Sequence, residues 1–148
     1  MAHLFAPWRM VYIGTGGSSE CIFCAIPAAS VEDDGENLLI HRGERCFVVM
    51  NRFPYNPGHL MVAPYRHVGA YDELTEEELL ELNRLTQRSL RVLGGLMNPQ
   101  GFNLGVNLGK GAGAGFAGHV HMHVVPRWDG DTNFMPVLGD VRVIPEAL

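Results

Sequence analysis

The chain has 148 residues, a length that argues for one domain, residues 1–148, large enough to fold without a disulfide framework. Its 16 acidic and 11 basic residues give a formal charge of −5, which argues against a broad basic surface for nucleic acid. No apolar run approaches the roughly 18 residues of a membrane helix, and the segment from Met1 to Trp8 lacks a signal-peptide core. We therefore expect a cytoplasmic protein that binds neither membranes nor nucleic acid.

The first half of the chain predicts short strands joined by turns. Residues 1–18 form an arm that ends in glycine and serine. Leu38–His41 and Cys46–Asn51 are apolar and flank a polar turn, a pattern typical of a hairpin. The next predicted strand is His59–Ala63, which Pro64 ends.

The period of the apolar residues then changes to that of a helix. Thr75 with Glu78 three residues later forms a capping box, and leucines recur near helical spacing as far as Leu93. Two glycines follow, at 94 and 95, and predict the end of the helix. We expect a helix over Thr75–Leu93 with its leucines on the sheet.

The last part of the chain predicts two more strands around a glycine-rich loop. Phe102–Leu108 and His119–Val125 are the strands, and Gly109–Gly118 is the loop. Residues 129–148 form a surface tail. The expected fold class is α+β, an antiparallel sheet with one long helix packed on it.

Three histidines alternate along the last predicted strand. Alternate strand residues share a face, so the imidazoles line one face about 6.5–7 Å apart, while the valines and methionine between them face the core. A row of imidazoles is costly to bury unpaired, which favours a functional role. The two candidates are a metal site and an anion site with a nucleophilic imidazole. The histidines are His119, His121 and His123.

The loop before this strand favours an anion site. Glycine-rich loops let backbone N–H groups approach phosphate oxygens, and Lys110, the only lysine, lies in this loop. Arg127 follows the strand. No acidic residue lies between Glu81 and Asp129, so a hydrolytic metal site has no nearby carboxylate. Phosphate binding is therefore favoured over metal catalysis.

The cysteines alone leave three interpretations open. Cys21 and Cys24 form one Cys-x-x-Cys pair, which is compatible with zinc, redox chemistry or simple packing. A zinc site needs further ligands from elsewhere, because there is no second pair. Cys46 lies in an apolar run and is expected to be a buried core thiol.

Several segments together resemble one family. The run from His119 to Val125 resembles the histidine-triad (HIT) signature, and Asn51–Val62 resembles the upstream segment of the same family. The Cys-x-x-Cys pair and Pro64–His67 resemble its zinc-carrying bacterial members. Both flanks, residues 3–10 and 126–134, resemble the bacterial diadenosine tetraphosphate phosphorylase/hydrolase group.

The resemblance implies an enzyme that cleaves dinucleoside polyphosphates, with diadenosine tetraphosphate the expected substrate. His121 corresponds to the nucleophile that attacks the α-phosphate and forms a nucleotidyl-histidine, which water or phosphate releases. His123 then donates to phosphate oxygens, and a two-fold homodimer is expected. The alternatives are a Hint-like nucleoside phosphoramidate hydrolase, a nucleotide-binding module without turnover, and a metal-dependent hydrolase.

The resemblance also implies substrate contacts. Asn51 corresponds to a ribose contact, although a turn-starting asparagine is the simpler interpretation, and Asn107 to a phosphate contact. The Gln and Ser or Thr that many HIT enzymes carry before the triad are replaced here, by Gly115 and Phe116, so other groups must hold the leaving group. His59 either orients the triad or is core. The remaining expected substrate-binding residues are Lys110, Gly113, Gly118, Arg127 and Trp128.

Zinc-carrying relatives complete the cysteine pair with two histidines. The positions that match are Cys21, Cys24, His67 and His119. Cys₂His₂ is a closed tetrahedral set, which indicates a structural zinc. It also fixes His119 and leaves the other two histidines for chemistry.

Overall fold

A computed structural model describes residues 21–132 of the chain. The expected arm, and the expected tail beyond residue 132, lie outside the described residues. The described part is a five-stranded antiparallel sheet in the order β1-β2-β3-β5-β4 with two α-helices. The bounds are α1 Ile22–Ala28, β1 Leu39–Arg42, β2 Cys46–Met50, β3 Leu60–Pro64, α2 Glu76–Met97, β4 Gly101–Gly105 and β5 Met122–Arg127. The α+β class is confirmed.

The predicted hairpin is present as β1 and β2, and helix α2 binds its turn. The carboxylate of Glu81 accepts hydrogen bonds from the backbone N–H groups of Glu44, Arg45 and Cys46, the last at 2.7 Å. These contacts satisfy backbone donors at the turn and join the helix to the sheet.

Strand β5 begins at Met122, so the prediction of a strand from His119 is wrong. The backbone N–H of Val120 donates to the carbonyl of Val68 at 2.7 Å, and that of His119 to the carbonyl of Phe116. The backbone before Met122 therefore bonds to loops and not to a neighbouring strand. Strand β4 ends at Gly105, which pairs with His123, so the prediction that this strand continues to Leu108 is wrong.

Helix α2 begins as predicted and ends later. The capping box of Thr75 and Glu78 is confirmed. The predicted end at Leu93 is wrong, because the helix continues through both glycines to Met97 and ends at Asn98 in the left-handed region, with φ 47°. Leu93 is buried and Met97 packs on the same core. This packing offsets the cost of about 1 kcal/mol for each helical glycine.

The sheet is covered on both faces, whereas the sequence predicted a helix on one. The larger core lies between the sheet and α2, and it includes Val120 and Val124, as expected for the residues between the histidines. The smaller core lies under α1 and centres on Phe23 and Phe47. Cys46 is fully buried, as predicted, and burial raises the pKa of its thiol to about 12.

Candidate active site

The three histidines lie on the side of the sheet that α1 covers, as their alternation predicted, and divide between two neighbouring sites. His119 is fully buried and turns its Nδ1 toward the two cysteines of α1. His121 and His123 line a cavity of about 540 Å³, with their ring centroids 4.8 Å apart. Only His123 lies within β5, so the irregular backbone before Met122 separates the roles.

The hydrogen bonds of His121 assign its tautomer. Its Nδ1 lies 2.9 Å from the carbonyl oxygen of His119, and a carbonyl only accepts, so Nδ1 carries the proton. A neutral imidazole has one ring proton, so Nε2 keeps its lone pair. The free lone pair of a side chain that lines the cavity is a nucleophile.

A chain of contacts assigns the tautomer of His123 in the opposite sense. The backbone N–H of Tyr55 donates to Nδ1 of His59 at 3.1 Å, so His59 carries its proton on Nε2. That Nε2–H donates to Nδ1 of His123 at 2.9 Å. The proton of neutral His123 is therefore on Nε2, where it is available as a donor to a substrate. His59 is fully buried and contacts His123, so its position agrees with both roles that the sequence allowed.

Burial keeps these imidazoles neutral. It is the main cause that lowers the pKa of His121, against the hydrogen bond to His119. Burial, with the neighbouring His121, lowers the pKa of His123 to about 4. A neutral His121 at pH 7 keeps its nucleophilic lone pair.

The cavity brings together four of the expected substrate-binding residues. Asn51, Asn107, Gly113 and Gly115 line it with the two histidines. Asn51 also starts the turn, because its Oδ1 accepts from the backbone N–H of Phe53 at 2.9 Å, and its contact with a ribose stays a prediction.

Four other expected residues lie outside the lining of the cavity. Lys110 is exposed in a short 3-10 turn, and Gly118 lies beside His67. The guanidinium of Arg127 donates to Asp131 at 2.6 Å and to Asn103 at 2.7 Å. Trp128, the fourth of these residues, is also outside the lining of the cavity.

Most of the apolar lining was not singled out from the sequence. Ile22, Phe23 and Ile26 reach the cavity from α1, and Arg52 and Tyr55 from the turn before β3. The sequence signal for Ile22, Phe23 and Ile26 was their place within and just after the Cys-x-x-Cys pair.

Arg52 is the basic residue in the lining, and its Nη2 donates to the carbonyl of Glu36 at 2.8 Å.

The expected zinc ligands form a compact group beside the cavity. One ligand atom from each of Cys21, Cys24, His67 and His119 lies within 4.8 Å of the others. Cys24 Sγ is 3.3 Å from Nδ1 of His67 and 3.6 Å from Nδ1 of His119. A tetrahedral zinc with these donors separates its ligand atoms by about 3.3–3.8 Å, so the group fits zinc.

The chemistry of the donors agrees with this fit. The Nε2–H of His119 donates to the carbonyl of Pro64 at 2.8 Å, which leaves the Nδ1 lone pair for a metal. Burial and then the nearby Cys21 raise the pKa of Cys24, and a dication would relieve this repulsion between thiolates. All four ligands come from the protein, so the set has no open position for substrate.

A family model described as HIT domain matches residues 34–130. The chain belongs to the HIT domain family. It is 43% identical to the AP-4-A phosphorylase of Mycobacterium tuberculosis, covering all of this chain and 79% of that protein. This confirms the family that the histidine motif predicted.

Two further relatives bear on the site. The Bis(5'-adenosyl)-triphosphatase of Dictyostelium discoideum is 37% identical over 57% of this HIT chain and 56% of that protein. A Zn-bound histidine triad family protein from Mycobacterium smegmatis matches 88% of this chain and 86% of that one, with 30% identity and a TM-score of 0.66. Among residues 21–132, no helix is both long and apolar enough to cross a membrane.

Proposed function

We propose that the protein cleaves dinucleoside polyphosphates, with diadenosine tetraphosphate the favoured substrate. One observation carries the proposal: the cavity is lined by a nucleophilic Nε2 of His121 and a donor Nε2–H of His123. Relatives named AP-4-A phosphorylase and Bis(5'-adenosyl)-triphosphatase support the substrate class.

The proposed reaction has two displacements at the α-phosphorus. The Nε2 lone pair of His121 forms a P–N bond while the P–O bond to the leaving polyphosphate breaks. The Nδ1–H bond to the carbonyl of His119 stabilises the positive charge that develops on the ring. Water or phosphate then attacks phosphorus, breaks the P–N bond and restores His121.

His123 acts on the phosphate oxygens. Its Nε2–H is directed by the His59 contact and donates to negative charge that grows in the transition state. A donor held in place in a buried site needs little reorganisation during the reaction. Asn107 and the backbone of Gly113 and Gly115 are proposed to hold the phosphates, and Asn51 the ribose.

The substrate roles of the residues outside the lining stay predictions. Lys110, Gly118 and Trp128 have no contact with the cavity that supports a role. Arg127 is paired with Asp131, and this pairing raises the pKa of the guanidinium. Arg52 lies in the lining, and we add it to the proposed phosphate contacts.

We propose zinc as a structural metal held by Cys21, Cys24, His67 and His119. A bound zinc supplies a cross-link between α1 and the backbone before β5. Cys21, Cys24 and His67 lie outside the lining of the cavity in which the reaction is proposed. The closed ligand set argues against a metal-dependent hydrolase.

A homodimer in the cytoplasm is also proposed. Helix α2 exposes Leu80, Val92 and Leu96, the last with 76% of its surface accessible, and an apolar cavity of about 630 Å³ lies beside it. Such exposed apolar surface is typical of an interface. The free thiols of Cys21 and Cys24 suit a reducing compartment.

The test is product analysis with diadenosine tetraphosphate, with and without phosphate. ADP and ATP formed only with phosphate would identify a phosphorylase, and AMP and ATP formed in water a hydrolase, whereas two ADP would contradict displacement at the α-phosphorus. Both require His121, so the His121→Ala variant should be inactive. If wild-type protein gives no product, the proposal is wrong and a nucleoside phosphoramidate becomes the next substrate to test.

A further inference from the structure

Phe23 joins the two halves of the site. It lies in the Cys-x-x-Cys pair on the first turn of α1, and only 1% of its surface is exposed. Its ring stacks on the ring of His121, with centroids 4.4 Å apart and planes 24° apart. Its centroid is also 5.4 Å from that of His119. One buried ring therefore contacts both a proposed metal ligand and the proposed nucleophile.

We propose that Phe23 is a positioning residue that couples the Cys/His metal-binding group to the orientation of the His121 ring. The inference rests on the proposed function of His121 as nucleophile. It assigns to the metal-binding group an effect on the reaction rate that does not require the metal to touch substrate.

A stacking contact is needed to fix the orientation of the His121 ring, because its hydrogen bond alone leaves one rotation free. Its hydrogen bond to the carbonyl of His119 fixes one direction in the ring plane but permits rotation about the line of that bond. The stacked ring of Phe23 and the edge-on ring of His123 both contact the His121 ring and restrict this rotation. Nε2 is then aimed at one point in the cavity.

The position of Phe23 depends on both ends of α1. At the carboxyl end, the guanidinium of Arg42 donates to the carbonyls of Pro27 and Ala29 at 2.7 and 3.2 Å. At the amino end, the cysteines on either side of Phe23 belong to the metal-binding group. A metal at this group therefore fixes the turn that carries Phe23, while Arg42 holds the rest of the helix without it.

The same ring reaches the glycine-rich loop. Phe23 meets Phe116 edge-on, with centroids 6.1 Å apart and planes 89° apart. Phe116 lines the cavity together with Gly113 and Gly115. A displaced Phe23 would therefore disturb the nucleophile and the wall of the proposed phosphate site together.

The direct test is NMR of the full chain with labelled histidine, at one fixed pH and without substrate. Zinc is removed with a chelator and Zn²⁺ is added back. In wild type, the His121 ring protons should shift on addition because the stacked Phe23 ring settles above them. In Phe23→Leu, this response should be lost. Unchanged His121 signals in wild type, or an equal response in Phe23→Leu, would overturn the coupling.

Kinetics provide the second readout. Phe23→Leu should lower kcat by about 10–100-fold, because misaiming a reacting atom by about 1 Å costs up to 10²-fold. Its KM should stay within about threefold of wild type, since Leu keeps an apolar cavity wall. The matched control is Phe47→Leu, which removes a buried ring from the same core outside the cavity lining, and it should leave kcat and the zinc response unchanged.

Different results would contradict the proposed role of Phe23 and the proposed function of the protein. A raised KM with unchanged kcat in Phe23→Leu would make Phe23 a simple wall of the cavity and overturn the inference. Absence of turnover by wild type with an intact zinc response would overturn the proposed function but not the coupling. If Phe23→Leu does not fold, the wild-type zinc titration still decides, because unmoved His121 signals contradict the inference without any variant.

Discussion

His59 donates its Nε2–H to Nδ1 of His123 across 2.9 Å, and this bond determines which nitrogen of His123 carries a proton. His59 immediately precedes β3, and Met61, two residues further on, pairs with His123 of β5, so the two histidines are diagonal neighbours. His59 is fully buried and accepts from the backbone N–H of Tyr55 at its other nitrogen.

We therefore predict that His59→Leu lowers kcat on the order of a hundredfold, because His123 loses the partner that sets its tautomer. His59→Gln is the matched control. Its amide offers both an acceptor for the Tyr55 N–H and a donor for His123, so it should recover part of the loss. Steady-state kinetics with a thermal melt of each variant decide the matter, and a His59→Leu variant with wild-type kcat would remove His59 from the mechanism.

Arg52 gives a prediction about substrate affinity. It is the basic side chain that lines the cavity, and a charged hydrogen bond to phosphate contributes about 1.5–3 kcal/mol. Arg52→Ala should raise KM about tenfold and leave kcat within a few fold. Arg84→Ala removes an exposed cation from α2, outside the cavity lining, and should change neither constant. Equal effects of the two variants would show a general charge effect and not a local contact.

The metal-binding group predicts one zinc per chain. Cys21→Ser with Cys24→Ser should abolish bound zinc, lower Tm and reduce turnover without eliminating it, because the nucleophile remains. Cys46→Ala is the cysteine control, since that thiol lies in the separate core against α2 and should leave zinc content unchanged. Metal analysis and thermal melts measure both. Complete loss of activity in a well-folded double variant, restored by a metal that does not restore Tm, would favour a catalytic metal.

Glu78 predicts a pH dependence of stability. The Arg66 guanidinium and the Thr75 backbone N–H hold the pKa of this carboxyl at about 2, below its ordinary 4.5. Since the folded value is lower than the unfolded one, the stabilisation is complete above about pH 4.5 and is lost as the pH falls toward 2.

Glu78→Gln should therefore lower the free energy of unfolding by about 1–2 kcal/mol at pH 7, a discounted value because Arg66 is half exposed. The difference from wild type should shrink below pH 4.5. Glu77→Gln removes the same charge from an exposed position in the same helical turn and should show a much smaller loss. Denaturant melts across pH test this, and a pH-independent difference would contradict it.

Local patterns predicted the features that depend on near neighbours. The capping box at Thr75 and the burial of Val120 and Val124 follow from spacing alone. The helix end at Leu93 was wrong because the glycines stop a helix only where packing does not continue, and Met97 packs on the core. The grouping of the four expected zinc ligands was predicted through family resemblance, since they span 98 positions from Cys21 to His119.

The contacts that could not be predicted from the sequence join residues that are far apart in the chain. Phe23 meets His121, and His59 meets His123, through the fold and not through spacing. The split of the histidines between two sites followed from the family resemblance, which assigned His119 to the zinc set. The pattern did not predict the backbone hydrogen bonds to loops near Phe116 and Val68, so it placed the start of the strand too early.

The central claim is that His121 becomes covalently bound to a nucleotide. The most direct measurement is a rapid denaturing quench at alkaline pH after mixing with diadenosine tetraphosphate labelled at the α-phosphate, followed by peptide mapping. We expect label on the peptide that contains His121, lability of that label in acid, and no label in His121→Ala. Turnover by His121→Ala at the wild-type rate, or label on another residue, would contradict it.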